Sequence, residues 1–376
     1  MSDHRIVVVS DEPPGMGSPQ VLSFAISVAE YSGTRATVIC PQPTDKLSVS
    51  VSHPSIEVVQ SEFPAQRRVE YNRFVHKMLK ERSPEVLIFF SNLALPVLLQ
   101  YWKRPKLTIN YVLESYYFSQ SAFNREAHLL RAVQDRMDMF IVPEPNRAAQ
   151  VVQAGGIDAR RVRVLYNCKR YEHPPLRRTA TERNGMLLHQ GSIFVDEEPW
   201  LYLYETPERF AIDIYGIHRT KTSRPVFREQ FDEMCRTHSD IRYLGKVTEN
   251  ELEGIRAGYS YVLAYWHPSD PTQHYACPNK FFEAIASGVP PLASPNPQMR
   301  ELIERYDCGI LLDDWTYEAF REGYEYAMEI RGSERYAELV ANCISAYESA
   351  LNWESQFRKI LPTLTQSLGP RGVHVA

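Results

Sequence analysis

Tyr275 to Asp314 reads YACPNKFFEAIASGVPPLASPNPQMRELIERYDCGILLDD. Pro278 suits the first helical position, where its missing N–H would be unpaired anyway, and Gly288 supplies the positive φ that ends a helix. About three helical turns are predicted between them. Phe281, Phe282 and Ile285 fall on the apolar side, and Asn279 and Glu283, four apart, share another face. The free N–H groups and macrodipole of a helix N-terminus favour an anion, phosphate above all. A carboxylate one turn further in would repel phosphate but accept hydrogen bonds from hydroxyls, so Glu283 suits a ribose diol. The pattern reads as nucleotide-diphosphate recognition. The competing reading is an ordinary αβ unit with Glu283 as a solvated surface charge.

At 376 residues the chain exceeds what one core usually organises, and two domains are expected. Its 44% hydrophobic and 23% charged content is that of a globular protein. A net charge of −4 gives no support to nucleic-acid binding, though a local basic face could still meet an anionic membrane. The N-terminus, MSDHRIVVVSDEPPG, has a five-residue apolar run without signal-peptide features and reads as a strand. No stretch approaches the roughly 18 apolar residues of a membrane span. The six cysteines are scattered without a CxxC pair, so no zinc site is expected, and reduced thiols in the cytoplasm are.

Strand-type runs recur at His4 to Ser10, Ala36 to Cys40, Ile56 to Val59, Val86 to Phe90, Leu107 to Val112, Met139 to Val142 and Val162 to Leu165. Helical stretches separate many of them, including one opened by Ser18-Pro19 and others over Val69 to Lys80, Ala122 to Arg136 and Arg147 to Ala154. Such alternation predicts a parallel sheet covered on both faces. The loop Asp11 to Gly17 lacks the third glycine of a dinucleotide fingerprint, so NAD binding is not expected; Gly15 and Gly17 could let backbone approach a ligand or simply make a tight turn. Glu114, followed by Tyr116, Tyr117 and Phe118, reads as a sugar-binding surface or as core aromatics. Cys168 to Asn184 has no apolar periodicity and reads as linker. The sheet pattern restarts at Met186 to His189, Phe210 to Tyr215, Ile241 to Leu244 and Tyr259 to Tyr265, each running into a glycine or polar turn. Tyr317 to Ile330, Glu334 to Leu351 and Trp353 to Leu364 read as helices.

The run Pro278 to Pro290, with Ala293-Ser294, Arg300-Glu301 and Cys308 to Leu311, resembles the donor-site signature of bacterial glycosyltransferases of the GT-B fold, especially family GT4. That resemblance implies an α/β protein of two Rossmann-like doubly wound parallel-sheet domains facing a cleft. The first would span 1–170 plus a terminal helix, 353–367, crossing back to it; 171–184 would be linker and 185–352 the nucleotide-sugar domain. Glu283 matches the family's second glutamate, which contacts the donor ribose, whereas Tyr275 stands where the first is expected. Pro278, Asn279 and Lys280 fall in the donor motif, and Gly191, Gly216 and Lys246 match a glycine loop, a YG turn and a GKV-like segment. The usual diphosphate cations after the first donor-domain strand are replaced by Phe194 to Glu198, leaving Arg219, Lys221 or Lys280 to substitute. Glu114 and Asp270 are the candidate catalytic carboxylates, and Gly15 and Gly17 the family's cleft loop. His218, His267 and His274 are given no catalytic role.

The expected function is transfer of a sugar from a nucleotide-diphosphate donor to a carbohydrate, lipid-linked or small-molecule acceptor, chiefly retaining, without cofactor or metal. The N-terminal reading and the scattered thiols place it in the cytoplasm, with a peripheral contact at the inner face of the membrane open and oligomeric state unread. The alternatives are a non-catalytic nucleotide-sugar-binding subunit and a sugar-nucleotide epimerase of the same fold.

Overall fold

The computed structural model describes residues 5–14, 18–42, 51–90, 93–113, 123–196, 199–219, 225–269 and 271–369. The chain divides into two compact units, one of residues 1–170 with 353–376 and the other of 171–352.

The first unit carries strands β1 (Ile6–Ser10), β2 (Ala36–Cys40), β3 (Ile56–Gln60), β4 (Val86–Phe90), β5 (Leu107–Tyr111), β6 (Met139–Val142) and β7 (Val162–Val164). They form one parallel sheet in the order β3-β2-β1-β4-β5-β6-β7. Its helices are α1 (Pro19–Ser32), α2 (Arg68–Arg82), α3 (Phe123–Val133) and α4 (Pro145–Gly155). Successive strand residues point to opposite faces. Thus Ile6, Val8, Val86, Ile88 and Phe90 join α1 in one core, while Val7, Val9, Leu87 and Phe89 join Tyr71, Val75 and Leu79 of α2 in the other. Cover on both faces explains why these strands are apolar throughout rather than alternating.

The second unit has β8 (Leu187–Phe194), β9 (Ile212–Arg219), β10 (Ile241–Gly245), β11 (Tyr261–Ala264), β12 (Pro291–Ala293) and β13 (Ile310–Leu311), again all parallel, ordered β10-β9-β8-β11-β12-β13. Helices α5 (Trp200–Glu205), α6 (Pro225–Thr237), α7 (Glu249–Ala257), α8 (Pro271–Tyr275), α9 (Asn279–Ala286), α10 (Pro297–Tyr306), α11 (Tyr317–Ile330) and α12 (Glu334–Ser349) belong to it. The strand order reverses between β8 and β11. At such a switch point the strand ends open a crevice where ligands bind.

Residues 171–184, read as linker, count with the second unit and carry structure: Thr179 and Glu182 make a capping box, and buried Arg183 bonds the Tyr336 hydroxyl. The single terminal helix expected after Trp353 is two, α13 (Trp353–Arg358) and α14 (Leu361–Leu368). Pro362 causes the break. It lacks an N–H and is tolerated only in a first turn, so the chain restarts there. Trp353, Phe357, Ile360 and Leu364 complete the α1 core, and Trp353 Nε1 donates to Ser27. Among the described residues no helix is long and apolar enough to cross a membrane.

Candidate functional site

Helix α9 packs on β11, β12 and α12, and because it connects the parallel pair β11 and β12 its N-terminus lies at the C-terminal ends of the strands. Pro278 is its extended N-cap (φ −72°, ψ 154°) rather than its first helical residue, and the helix has eight residues, not three turns. Gly288, at φ +65°, ends it as expected. Phe281, Phe282 and Ile285 are buried, Ala284 meeting Leu188 and Val262.

Glu283 is no surface charge. It is 8% exposed, and its Oε2 accepts hydrogen bonds from Arg256 Nη2 (2.7 Å) and Gln190 Nε2 (2.6 Å). Arg256, itself 2% exposed, closes the triangle through Nε to Gln190 Oε1 at 2.9 Å. Carboxylate, guanidinium and amide therefore fix one another. Glu283 Oε1 takes no hydrogen bond among the described residues. One oxygen is thus held by protein and the other left to accept.

Lys280 precedes Glu283 by one turn and is only partly covered at its surface, yet the protein around its ammonium pulls its pKa down to about 8, the Glu283 charge opposing. On β8, His189 is 4% exposed and sits edge-on to Trp200 at 4.7 Å. Its nitrogens are buried without a well-formed hydrogen bond, the Ser192 main chain giving only partial compensation. Burial, then the Lys280 charge, keeps the imidazole neutral. A bound anion would be attracted to the Lys280 ammonium.

Gly191 and Gly216, expected in turns, lie inside strands: β8 and β9 pair straight through them, residue against residue, to Phe194 and Arg219. The ladder survives at this closeness because Gly216 carries no Cβ, whereas one on Gly191 would meet no atom within 4 Å. A Cβ on Gly216 would stand 1.7 Å from the Gly191 carbonyl oxygen. The two backbones thus touch beside Gln190, and Gly191 and Ser192 are exposed.

Tyr275 closes α8, its ring against His274 (4.8 Å), which in turn meets Trp315. The carbonyls of Gln273 and His274 are held by buried Asn296 Nδ2, whose Oδ1 accepts from Ser294 Oγ. Lys246 is exposed at the end of β10, separated from β8 by β9 and so roughly 10 Å away. Arg219 ends β9 with its side chain undescribed, and Gly15, Gly17, Glu114, Lys221 and Asp270 lie outside the described residues, as do Tyr116, Tyr117 and Phe118. The side chain of His218 is likewise undescribed.

No protein-family model matches this sequence, and no curated protein aligns with it. Solved structures do match across both units. HepE of Anabaena, solved with UDP-glucose, superposes with a TM-score of 0.69 at 14% identity, covering 96% of this chain and 99% of that one. Sucrose-phosphate synthase of Thermosynechococcus elongatus gives 0.72 at 12% identity, over 96% and 98%. WaaG, a glycosyltransferase involved in lipopolysaccharide biosynthesis, gives 0.66 at 15% identity, over 97% and 100%. The chain has the GT-B fold.

Gln190 of β8 thus reaches Glu283 of α9, the Gly191–Gly216 pair follows Gln190 along the sheet, and Tyr275 ends the short helix that precedes Asn279 and Lys280. Sequence reasoning missed Gln190 and Arg256. For Arg256 a signal existed: Leu252, Ile255 and Arg256 share the i, i+3, i+4 stripe of α7, where the apolar face turns inward. A cation on that stripe requires a buried anion, since an unpaired charge is too costly to bury. Glu283 is that anion.

Proposed function

We propose that this GT-B protein is a retaining, metal-independent glycosyltransferase that binds a nucleoside-diphosphate sugar at α9. In the reaction the bond from the anomeric carbon to the diphosphate oxygen breaks, the diphosphate leaving with the electron pair. The acceptor oxygen forms the new bond and gives its proton to the departing diphosphate. The observation that carries the reading is the half-satisfied Glu283 carboxylate, one oxygen locked and the other free to accept from a ribose hydroxyl. The α9 N–H groups and the Lys280 ammonium would take the growing negative charge of the diphosphate, the task of a metal in other enzymes. The open space beside Gly191 leaves room for a phosphate to approach main chain. HepE, solved with UDP and with UDP-glucose, supports a uridine nucleotide as the first donor to try.

A second reading, nucleotide-sugar binding without turnover, is favoured by Tyr275, a phenol where the resemblance calls for a carboxylate. At neutral pH a phenol carries no charge to stabilise a cationic anomeric carbon. One experiment separates the readings. Sugar nucleotides are screened by thermal shift, since a ligand bound only to the folded state raises apparent stability by mass action, and the binders are then incubated with acceptor pools. Binding with release of nucleoside diphosphate that requires an acceptor supports transfer. Binding without release supports the second reading, and no stabilisation by any sugar nucleotide overturns both.

A further inference from the structure

The 3-10 turn Leu95–Leu99 of the first unit leads through Gln100 to Lys106 into β5. Leu95, Val97, Leu98 and Tyr101 are buried, but Trp102 is 88% exposed and Leu99 49%. Nothing about the segment is slack. Arg136 donates to the carbonyls of Leu98 and Lys103, Lys103 Nζ to Ser83 Oγ (2.7 Å), and the Lys106 N–H to the Glu85 carbonyl (2.8 Å). A braced loop therefore holds the largest apolar side chain in water, where it stabilises nothing within its own unit. An indole has an apolar body and a polar N–H, so one held in water on a braced loop suits a boundary between apolar and wet surroundings.

The surroundings state the partner's charge. Lys103, Arg104 and Lys106 follow Trp102 without an intervening acid, and Arg5, donating to the Ser83 carbonyl, and Arg136 lie on the same N-terminal strand edge. Glu85, Asp135 and Asp138 share that edge. Glu85 faces Lys106 at 3.3 Å and Asp138 faces Arg104 at 3.6 Å, leaving the two cations 51% and 62% exposed. The balance is basic in a chain of net charge −4. An indole with an apolar body and a wet N–H belongs at the headgroup boundary of a bilayer, and adjacent Lys and Arg are drawn to anionic lipid.

We infer that the Trp102 loop is a membrane-contact surface that seats the protein reversibly on an anionic bilayer. Indole and leucine enter the interface while Lys103, Arg104 and Lys106 meet phosphate headgroups. The contact lies at the N-terminal ends of the first sheet, opposite the strand ends at which a GT-B unit binds ligands. The inference stands whether or not the proposed transfer is correct.

Sedimentation of the full chain with vesicles of phosphatidylcholine, with and without phosphatidylglycerol, tests it. The parent should bind the anionic vesicles and not the neutral ones, and release in high salt. Trp102→Ala should weaken partitioning about five-fold or more, and Lys103→Glu with Arg104→Glu about ten-fold or more. Because the Trp102 side chain is 88% exposed, Trp102→Ala should keep the melting temperature of the parent, the charge-reversed variant is compared below its own melting temperature, and a matched exposed control, Val69→Ala, should bind vesicles normally. Failure of the parent to bind anionic vesicles, or parental binding by Trp102→Ala, would overturn the inference. So would a parent dimer that Trp102→Ala dissociates in the absence of lipid binding, because the surface would then be a self-contact.

Discussion

Glu283 and Arg256 are each costly to bury alone and tolerable together, so substitutions there read differently from surface changes. Glu283→Ala strands a buried guanidinium, and we predict a loss of about 3–5 kcal/mol in a denaturant titration. That loss would obscure any effect on binding. Glu283→Gln keeps shape and one acceptor and should lose markedly less. Lys280 gives a pH prediction. Its folded pKa of about 8 lies below the ordinary value of 10.5, so between the two the unfolded chain holds a proton that the folded chain has shed. The burial penalty is in full force below pH 8, and this residue's contribution to stability improves as pH rises from 8 to 10.5. Anion affinity should move the other way, falling above pH 8 as the cation is lost. Titrations of a nucleoside diphosphate at several pH values should show that fall in the parent and none in Lys280→Arg, whose charge persists. A flat parental profile would remove Lys280 from the phosphate site. Glu283 could be singled out in the sequence because helical spacing puts it on a face with Asn279, and Lys280 because it falls in the donor motif where a diphosphate needs a cation. Gln190 could not be, since nothing local says which core polar group a distant carboxylate will meet.

At the scale of elements, most strands and helices could be read directly. Continuous apolar runs bounded by polar turns gave β2, β4 and β6 to the residue, because central parallel strands are buried on both faces. Strands β12 and β13, only three and two residues long, carry too little pattern to separate from the loops around them. The extension of β8 and β9 through their glycines was illegible for a different reason. Glycine ordinarily signals a turn, and only the partner strand shows that the close approach of two backbones is what excludes a side chain. This yields a paired prediction. Gly216→Ala, with a Cβ forced onto the Gly191 carbonyl, should cost at least about 3 kcal/mol or prevent folding. Gly191→Ala has no atom within 4 Å and only its positive φ of 108° to strain, so about 1–2 kcal/mol is expected. Thermal melts of the two variants decide it. Equal stabilities would mean that the backbone contact is not what the glycines protect.

At the scale of the molecule, two parallel sheets with reversed strand order follow from alternating strand and helix patterns read twice along the chain. What the pattern could not convey is that residues 171–184 are structured, because a capping box and one buried arginine leave little trace in apolar periodicity. For the proposed transfer, turnover should persist in EDTA, the diphosphate charge being met by Lys280 and the α9 N-terminus. Loss in chelator with recovery in manganese would assign that role to a metal. The central claim is that Glu283 reads a ribose, and calorimetric titration tests it most directly. The tightest binder among UDP, GDP and ADP is compared with its 2′- and 3′-deoxy forms, in the parent and in Glu283→Gln. The parent should favour the ribonucleotide over at least one deoxy form by roughly ten- to a hundred-fold, the worth of a charge-assisted hydrogen bond of about 1.5–3 kcal/mol, and Glu283→Gln should lose most of that preference. Equal binding of ribose and deoxyribose by the parent, or an unchanged preference in the folded variant, would contradict the claim.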